Sequence, residues 1–313
     1  MSELREKVKT AIERLKAFEP KNGEGYYLAF SGGKDSVVCK ALCDMAGVKY
    51  DATYRITTVD PPELVQFIKD KHPDVIREYP RYSDGTVATM WNLIPRKMMP
   101  PTRIARYCCQ VLKEDGGDGR MTVTGVRWAE STNRKRNQGL VTMMGAASSK
   151  TVGDDPNFSK TDRGGVILTN DNADSRRMIE QCYVRHKTTV NPIIDWEHRD
   201  VWEFIRGEGI PYCSLYDEGW HRLGCIGCPM ATTKKREKEF MRWPKYKPMY
   251  LRAFQKMIDR RIERNKKDPS RPVWRQGGYD TGIPTVQDVF NWWMEYDTLP
   301  GQIDLLAEGD DDE

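Results

Sequence analysis

The sequence predicts an α/β fold, a doubly wound and mostly parallel sheet followed by a C-terminal helical extension. Three observations carry that prediction. Short β-rich runs alternate with helical ones through the first 230 residues, the pattern of strand–helix–strand units. The hexapeptide Ser31-Gly32-Gly33-Lys34-Asp35-Ser36 joins an apolar run to a helical one. Beyond residue 230 the β-rich runs cease and a basic helical pattern takes over.

Met1–Phe18 reads as an amphipathic helix, with Leu4, Val8, Ala11, Ile12 and Leu15 on one face. Tyr26–Phe30 is a short apolar run that reads as a buried strand, and Ser36–Ala46 follows with Val37, Val38, Ala41, Leu42 and Met45 at helical spacing. Asp51–Val59 is the next β-rich run, closed by Pro61-Pro62, and Glu63–Lys71 reads as a helix with Pro62 near its first position. Val75–Tyr79 and Met121–Val126 are further strands. Gly139–Asn172 is rich in Gly, Ser, Asn, Asp and Thr and has little periodicity, so it is expected to be a long insertion or mobile loop. Lys234 to about Asn265 is helical in pattern, Val286–Tyr296 adds one more helix, and Glu308–Glu313 is an acidic end. No internal repeat is found. The expected division is residues 1–230 as a nucleotide-binding and catalytic domain, interrupted near 139–172, and 231–313 as a helical basic extension with an acidic tail.

Composition narrows the class. With 38% hydrophobic and 31% charged residues, the chain has the apolar content for a buried core, which excludes disorder over most of its length. No apolar run approaches the roughly 18 residues of a membrane span, and the N-terminus lacks a signal-peptide pattern. A cytoplasmic protein with no membrane association is expected. The charge is segregated: residues 231–275 hold 16 Lys and Arg against 5 Asp and Glu, whereas 276–313 hold no Lys or Arg and 10 Asp and Glu. The basic segment mixes Lys234, Lys235, Arg236, Lys238, Arg242, Lys245 and Lys247 with Phe240, Trp243, Tyr246 and Tyr250. That mixture suits phosphate neutralisation and base stacking, and equally a solvated helix whose aromatics pack on the body.

The hexapeptide is the strongest chemical signal. Its glycines, Gly32 and Gly33, let backbone approach a polyphosphate, and the following helix points its first amides at the anion. Lys34 adds a point charge, Ser31 and Ser36 add hydroxyls, and Asp35 can hold a magnesium ion or orient the loop. No Walker A spacing is present. The hexapeptide matches the PP-loop of ATP pyrophosphatases. Thr124-Gly125-Val126-Arg127-Trp128-Ala129-Glu130-Ser131 resembles a stretch of the phosphoadenosine phosphosulfate (PAPS) reductase-like family. So do Asn191-Pro192-Ile193-Ile194-Asp195-Trp196, Asp200-Val201-Trp202, Gly209-Ile210-Pro211-Tyr212 and Leu215-Tyr216-Asp217-Glu218-Gly219. The resemblance covers about Tyr26 to Met230. It implies an adenine nucleotide alpha hydrolase-like fold with the nucleotide at the C-terminal edge of the sheet. It also implies that Gly125 and Arg127 join the hexapeptide around ATP and Mg2+. Lys34, Asp35 and Arg127 are then the candidate catalytic residues, with Arg127 neutralising an α-phosphate or leaving pyrophosphate. Asp195 and Trp196 read as structural.

Eight cysteines in a chain of this kind read as ligands, nucleophiles or packing residues rather than a disulfide framework. Cys225-Ile226-Gly227-Cys228 can grip a metal centre or form a redox disulfide. With Cys108-Cys109 it makes four thiolates, enough for a [4Fe–4S] cluster or a four-cysteine zinc site, although adjacent cysteines fit a regular zinc loop poorly. The set resembles the iron–sulfur ligands of adenylylsulfate reductases, with Arg106 and Lys113 flanking the first pair. Cys39 and Cys43 read as core, Cys182 as isolated, and Cys213 as a mobile thiol. The four histidines show no metal spacing; His186 and His221 are within reach of a pocket only as weak candidates. Sulfonucleotide reductases carry a C-terminal nucleophilic cysteine, and no cysteine follows Cys228 here. The expected function is therefore cleavage of ATP to AMP and pyrophosphate, activating an acceptor for sulfur transfer. The acceptor is expected to be a nucleic acid held by 234–275, with a sulfur donor such as a cysteine desulfurase. The alternatives are a sulfonucleotide reductase and a non-catalytic iron–sulfur subunit that binds nucleic acid.

Overall fold

The computed structural model describes residues 2–117, 119–130, 135, 138–143, 158–160, 166–168, 188–276, 279–280 and 282–296. Ser131, Cys182, His186, the greater part of 139–172 and the acidic stretch 308–313 lie outside the described residues. The chain forms two compact units, each discontinuous in sequence. The first comprises Met1–Arg55, Pro62–Glu78 and Asp115–Leu223; the second comprises Ile56–Pro61, Tyr79–Glu114 and the chain from Gly224 onward.

The first unit is built on one sheet. Its strands are β1 (Tyr26–Ala29), β2 (Tyr50–Arg55), β3 (Ile76–Glu78), β4 (Thr122–Val123), β5 (Val141–Met143), β6 (Phe158–Lys160), β7 (Val166–Leu168) and β8 (Thr188–Val190), in the order β3-β2-β1-β4-β8-β5-β7-β6. The run from β3 to β8 is parallel, and β5, β7 and β6 extend it antiparallel. Segment 139–172, expected as a long insertion or mobile loop, contributes three strands. Each is only three residues long, too short to show the alternation that marks a strand in sequence. β1 is the centre: Tyr26, Tyr27 and Leu28 are all buried, as a strand covered on both faces requires.

Three helices follow the sequence reading closely: α1 (Ser2–Ala17), α2 (Lys34–Ala46) and α3 (Pro62–Lys71). α2 buries Val37, Val38, Cys39, Leu42, Cys43 and Ala46 and stops at Gly47, whose left-handed φ of 68° ends the helix. Cys39 and Cys43 are core residues, as expected. β2 stops at Arg55 rather than Val59, because Thr57 bonds Asp60 (Oγ1 to Oδ2, 2.7 Å) and Thr58 takes a left-handed φ of 68°. Arg14 of α1 grips Asp195 through two bonds of 2.8 and 3.0 Å, and Trp196 is fully buried against Phe204. Both are structural, as the sequence suggested.

The second unit holds α4 (Met90–Lys97), the short turn α5 (Tyr107–Cys109) running into a π-turn (Gln110–Glu114), α7 (Thr233–Arg242), α8 (Tyr246–Lys267) and α9 (Val286–Trp293). The remaining helix, α6 (His198–Gly207), belongs to the first unit. The helical stretch read as Lys234–Asn265 is two helices, broken where Pro244 cannot donate a helical bond. Their core is aromatic: Tyr250 and Trp293 lie 4.7 Å apart, Phe254 and Trp293 5.3 Å, with Phe240 and Phe290 packed around them. Three aromatics nominated for base stacking, Phe240, Trp243 and Tyr250, are therefore buried and unavailable. Arg236 is buried too. It donates to the Trp293 and Met294 carbonyls at the end of α9 and pairs with Glu295, so it caps a helix instead of facing solvent.

Candidate functional site

The phosphate loop leaves β1 at the point where the strand order reverses, with β2 on one side and β4 on the other. This is the switch point where doubly wound sheets bind ligands. Gly33 is the N-cap of α2 and supplies no side-chain cap, which leaves the first amides to other partners. Gly32 has φ 72°, and a Cβ there would lie 2.7 Å from Ile68, so the turn requires glycine. Ser36 closes the loop, donating to the Gly33 carbonyl at 2.9 Å and accepting the Ser31 amide at 3.2 Å.

Lys34, Asp35 and Arg127 form one linked group. Arg127 Nε donates to Asp35 Oδ1 at 2.8 Å, Lys34 Nζ donates to Oδ2 at 3.2 Å, and both cations are deeply buried, at 5% exposure for Lys34 and 3% for Arg127. Burial pushes the Lys34 ammonium below its usual value, while Asp35 opposes the fall. Arg127 also donates to the Trp196 carbonyl at 3.2 Å, so its guanidinium is fixed from two sides. Gly125 explains itself here: a Cβ would sit 2.9 Å from the Asp35 backbone, and only glycine lets the loop after β4 approach the start of α2. Both oxygens of Asp35 are engaged, which favours its role as orienter of the loop over that of a metal ligand.

Sequence reasoning missed Tyr216. Its hydroxyl accepts the Lys34 amide at 2.9 Å, and its ring lies 5.8 Å from the Lys34 ammonium. The residue stands in the Leu215–Gly219 stretch, but nothing local to that stretch announces a partner 182 positions away. His198 and Arg222 bear electrostatically on Lys34's surroundings as well; burial lowers His198 first, with Lys34 and Arg127 adding to it. His221 is exposed. Cys213 is buried at 1% exposure, which removes it as a mobile thiol.

The second unit brings the four other cysteines to one cavity. Cys108, Cys109, Cys225 and Cys228 line it with Thr57, Met90, Pro101, Leu112, Lys113, Pro229 and Tyr250. The C-x-x-C turn is tightly held: Ile226 N–H donates to the Val59 carbonyl at 2.7 Å, Gly227 N–H to buried Glu239 at 2.8 Å, and Tyr250 hydroxyl to the Ile226 carbonyl at 2.8 Å. Gly227 has φ 72°, and a Cβ would meet Phe240 at 2.8 Å. Cys108 and Arg106 hydrogen bonds hold the Cys109 thiol down at about 6 against its burial, while burial pushes Cys225 up to about 12. Lys113 lines the cavity too, and Cys225, Asp60 and Cys109 raise its ammonium above the usual value.

Among the described residues, no three Cys, His, Asp or Glu side chains converge to hold a single metal ion. The four thiols line one cavity, with cationic Arg106 and Lys113 beside them.

Residues 25–231 match the model of the phosphoadenosine phosphosulfate reductase domain. An uncharacterised protein of Methanocaldococcus jannaschii is 24% identical over 253 residues, 76% of this chain and 44% of the relative. The adenosine 5'-phosphosulfate reductase of Allochromatium vinosum is 37% identical over 54 residues, 17% of this chain and 21% of the reductase. The chain thus spans less than half the length of either relative. Candida glabrata FMN adenylyltransferase, solved with FMN and an ATP analogue, aligns with a TM-score of 0.42 at 14% identity, covering 72% of this chain and 64% of that one.

Proposed function

Because the chain belongs to the phosphoadenosine phosphosulfate reductase domain family, we propose that it is an ATP pyrophosphatase that adenylates an acceptor for sulfur transfer. An acceptor oxygen attacks the α-phosphorus of ATP, the α–β bridge bond breaks, and pyrophosphate leaves with both electrons of that bond. A sulfur nucleophile then displaces AMP. The observation that carries this reading is the buried Lys34–Asp35–Arg127 group at the start of α2. Two cations fixed at a helix N-terminus suit the charge that grows on the α-phosphate and pyrophosphate. Mg2+ would be held chiefly by the nucleotide's own phosphates, since Asp35 is already engaged.

Cys108, Cys109, Cys225 and Cys228 would hold a [4Fe–4S] cluster, which would supply iron able to bind or poise sulfide. The sulfur would come from a donor such as a cysteine desulfurase, and the acceptor is a nucleic acid. The test uses the full chain, anaerobically purified, with ATP, Mg2+, a single-stranded nucleic acid as acceptor and sulfide as nucleophile. Pyrophosphate release is expected, falling at least about 100-fold in Lys34→Ala as it does when a transition-state donor is removed. Pyrophosphate release that Lys34→Ala leaves intact contradicts the reading.

A second reading is supported by the local similarity to an adenosine 5'-phosphosulfate reductase. It predicts thioredoxin-dependent sulfite release from adenylylsulfate or its 3'-phosphate, and no cleavage of ATP.

A further inference from the structure

The basic segment carries the charge expected of a nucleic-acid surface, yet Phe240, Trp243, Tyr250 and Arg236 are buried. The cations that remain outside are sorted by helix face. On α8, Arg252, Lys256 and Arg260 recur every fourth residue and are exposed. Their spacing places them about 6 Å apart along the axis, close to the repeat of neighbouring phosphates in an extended strand. None of the three has an acidic partner among the described residues. Asp259 and Glu263 share the exposed side of the helix, and Asp259 is bonded to Gln255 at 2.9 Å.

This row borders the seam between α8 and α4. Two hollows open along that seam. Arg252 and Lys256 line the first with Trp91, and Arg260 lines the second with Tyr82 and Arg96. Trp91 is half-buried, packed edge-on against Tyr250 at 5.2 Å, and Arg96 stacks over the Tyr82 ring at 4.0 Å.

We propose that the α4–α8 seam binds single-stranded nucleic acid, with Arg252, Lys256 and Arg260 on successive phosphates and Trp91 at a base. The inference rests on the nucleic-acid acceptor assigned above and names its surface. A cation row beside aromatic-lined hollows is the arrangement that single strands recognise, through backbone neutralisation and stacking. An anionic membrane calls for exposed apolar side chains among the cations, and α8 has no large exposed hydrophobic residue.

The test measures fluorescence anisotropy of labelled 20-nucleotide DNA and RNA single strands with the full chain at 0.05 and 0.15 M salt. The triple variant Arg252→Gln, Lys256→Gln, Arg260→Gln is compared with Arg5→Gln, Lys9→Gln, Lys16→Gln on exposed positions of α1, which removes the same charge. The α8 variant should bind about 10-fold or more weakly at the higher salt, with a salt slope flatter by about 2, as loss of three strand phosphates requires. The α1 variant should bind within about 3-fold of the parent, the scatter expected when no phosphate contact is lost. Equal losses in both variants, or preference for a duplex or for anionic phospholipid vesicles, would overturn the proposal. The two proposals fail separately. Strand binding by the parent protein without ATP cleavage keeps the surface and removes the adenylation reading; cleavage without strand binding does the reverse.

Discussion

Arg127 gives up nearly all contact with water to face one carboxylate and one carbonyl. Such a guanidinium is held by geometry that a lysine cannot reproduce, because the fork donates in fixed directions. Arg127→Lys should retain the charge and still lose about 100-fold in pyrophosphate release, measured under saturating ATP; near-parental activity would assign Arg127 to charge alone. Gly125→Ala should be as damaging for a different reason, since the added methyl drives β4's loop away from Asp35. Nucleotide binding by calorimetry should fall in that variant while the helical circular dichroism remains. His72 gives a pH test. It is 7% exposed between Phe30 and Phe67, and burial lowers it from its ordinary 6.5. Well above 6.5 the ring is neutral in folded and unfolded chain alike, and no linkage arises. As pH falls below 6.5 the unfolded chain takes up the proton first, so stability declines. The urea midpoint should drop between about pH 7.5 and 5.5 in the parent and drop less in His72→Gln; equal drops would place the pH sensitivity elsewhere. The Ser31–Ser36 loop was legible as a strand-to-helix turn because its glycines and hydroxyls mark one in sequence. Tyr216 was not, because its bond to Lys34 exists only after β1 and the 214–216 turn are brought together.

At the level of elements, long periodic segments were legible and short ones were not. α1, α2 and α3 fall within a residue or two of the reading, since each buries a face repeated at helical spacing. β5, β6 and β7 escaped it, and β4 proved shorter than Met121–Val126 because Gly125 must leave the sheet to reach Asp35. The Cys225–Cys228 turn shows the limit from the other side. Its glycine suggested a tight turn, but the need for glycine comes from Phe240 and Trp293, residues distant in sequence. Gly227→Ala should destabilise the second unit by about 1–3 kcal/mol, through overpacking and a strained φ, seen as a lower urea midpoint. An unchanged midpoint would mean the aromatic core yields freely there.

Across the whole molecule, the α/β class and the family followed from the sequence, and the composition of the two units did not. Ile56–Pro61 and Tyr79–Glu114 group with the C-terminal helices, an arrangement that composition does not mark because those segments carry no charge or hydropathy break. The charge segregation was visible, but its meaning changed: Arg236 is spent internally on α9, while Arg252, Lys256 and Arg260 form an exposed row on α8. What unites these observations is the Ser31–Ser36 loop at the start of α2, which we propose holds a nucleotide polyphosphate. The most direct test follows the full chain with ATP, Mg2+, a single-stranded nucleic acid as acceptor and sulfide as nucleophile by phosphorus NMR. Equal growth of AMP and pyrophosphate resonances is the predicted result. Growth of ADP and inorganic phosphate would contradict it, because the bond broken would then be the β–γ bridge.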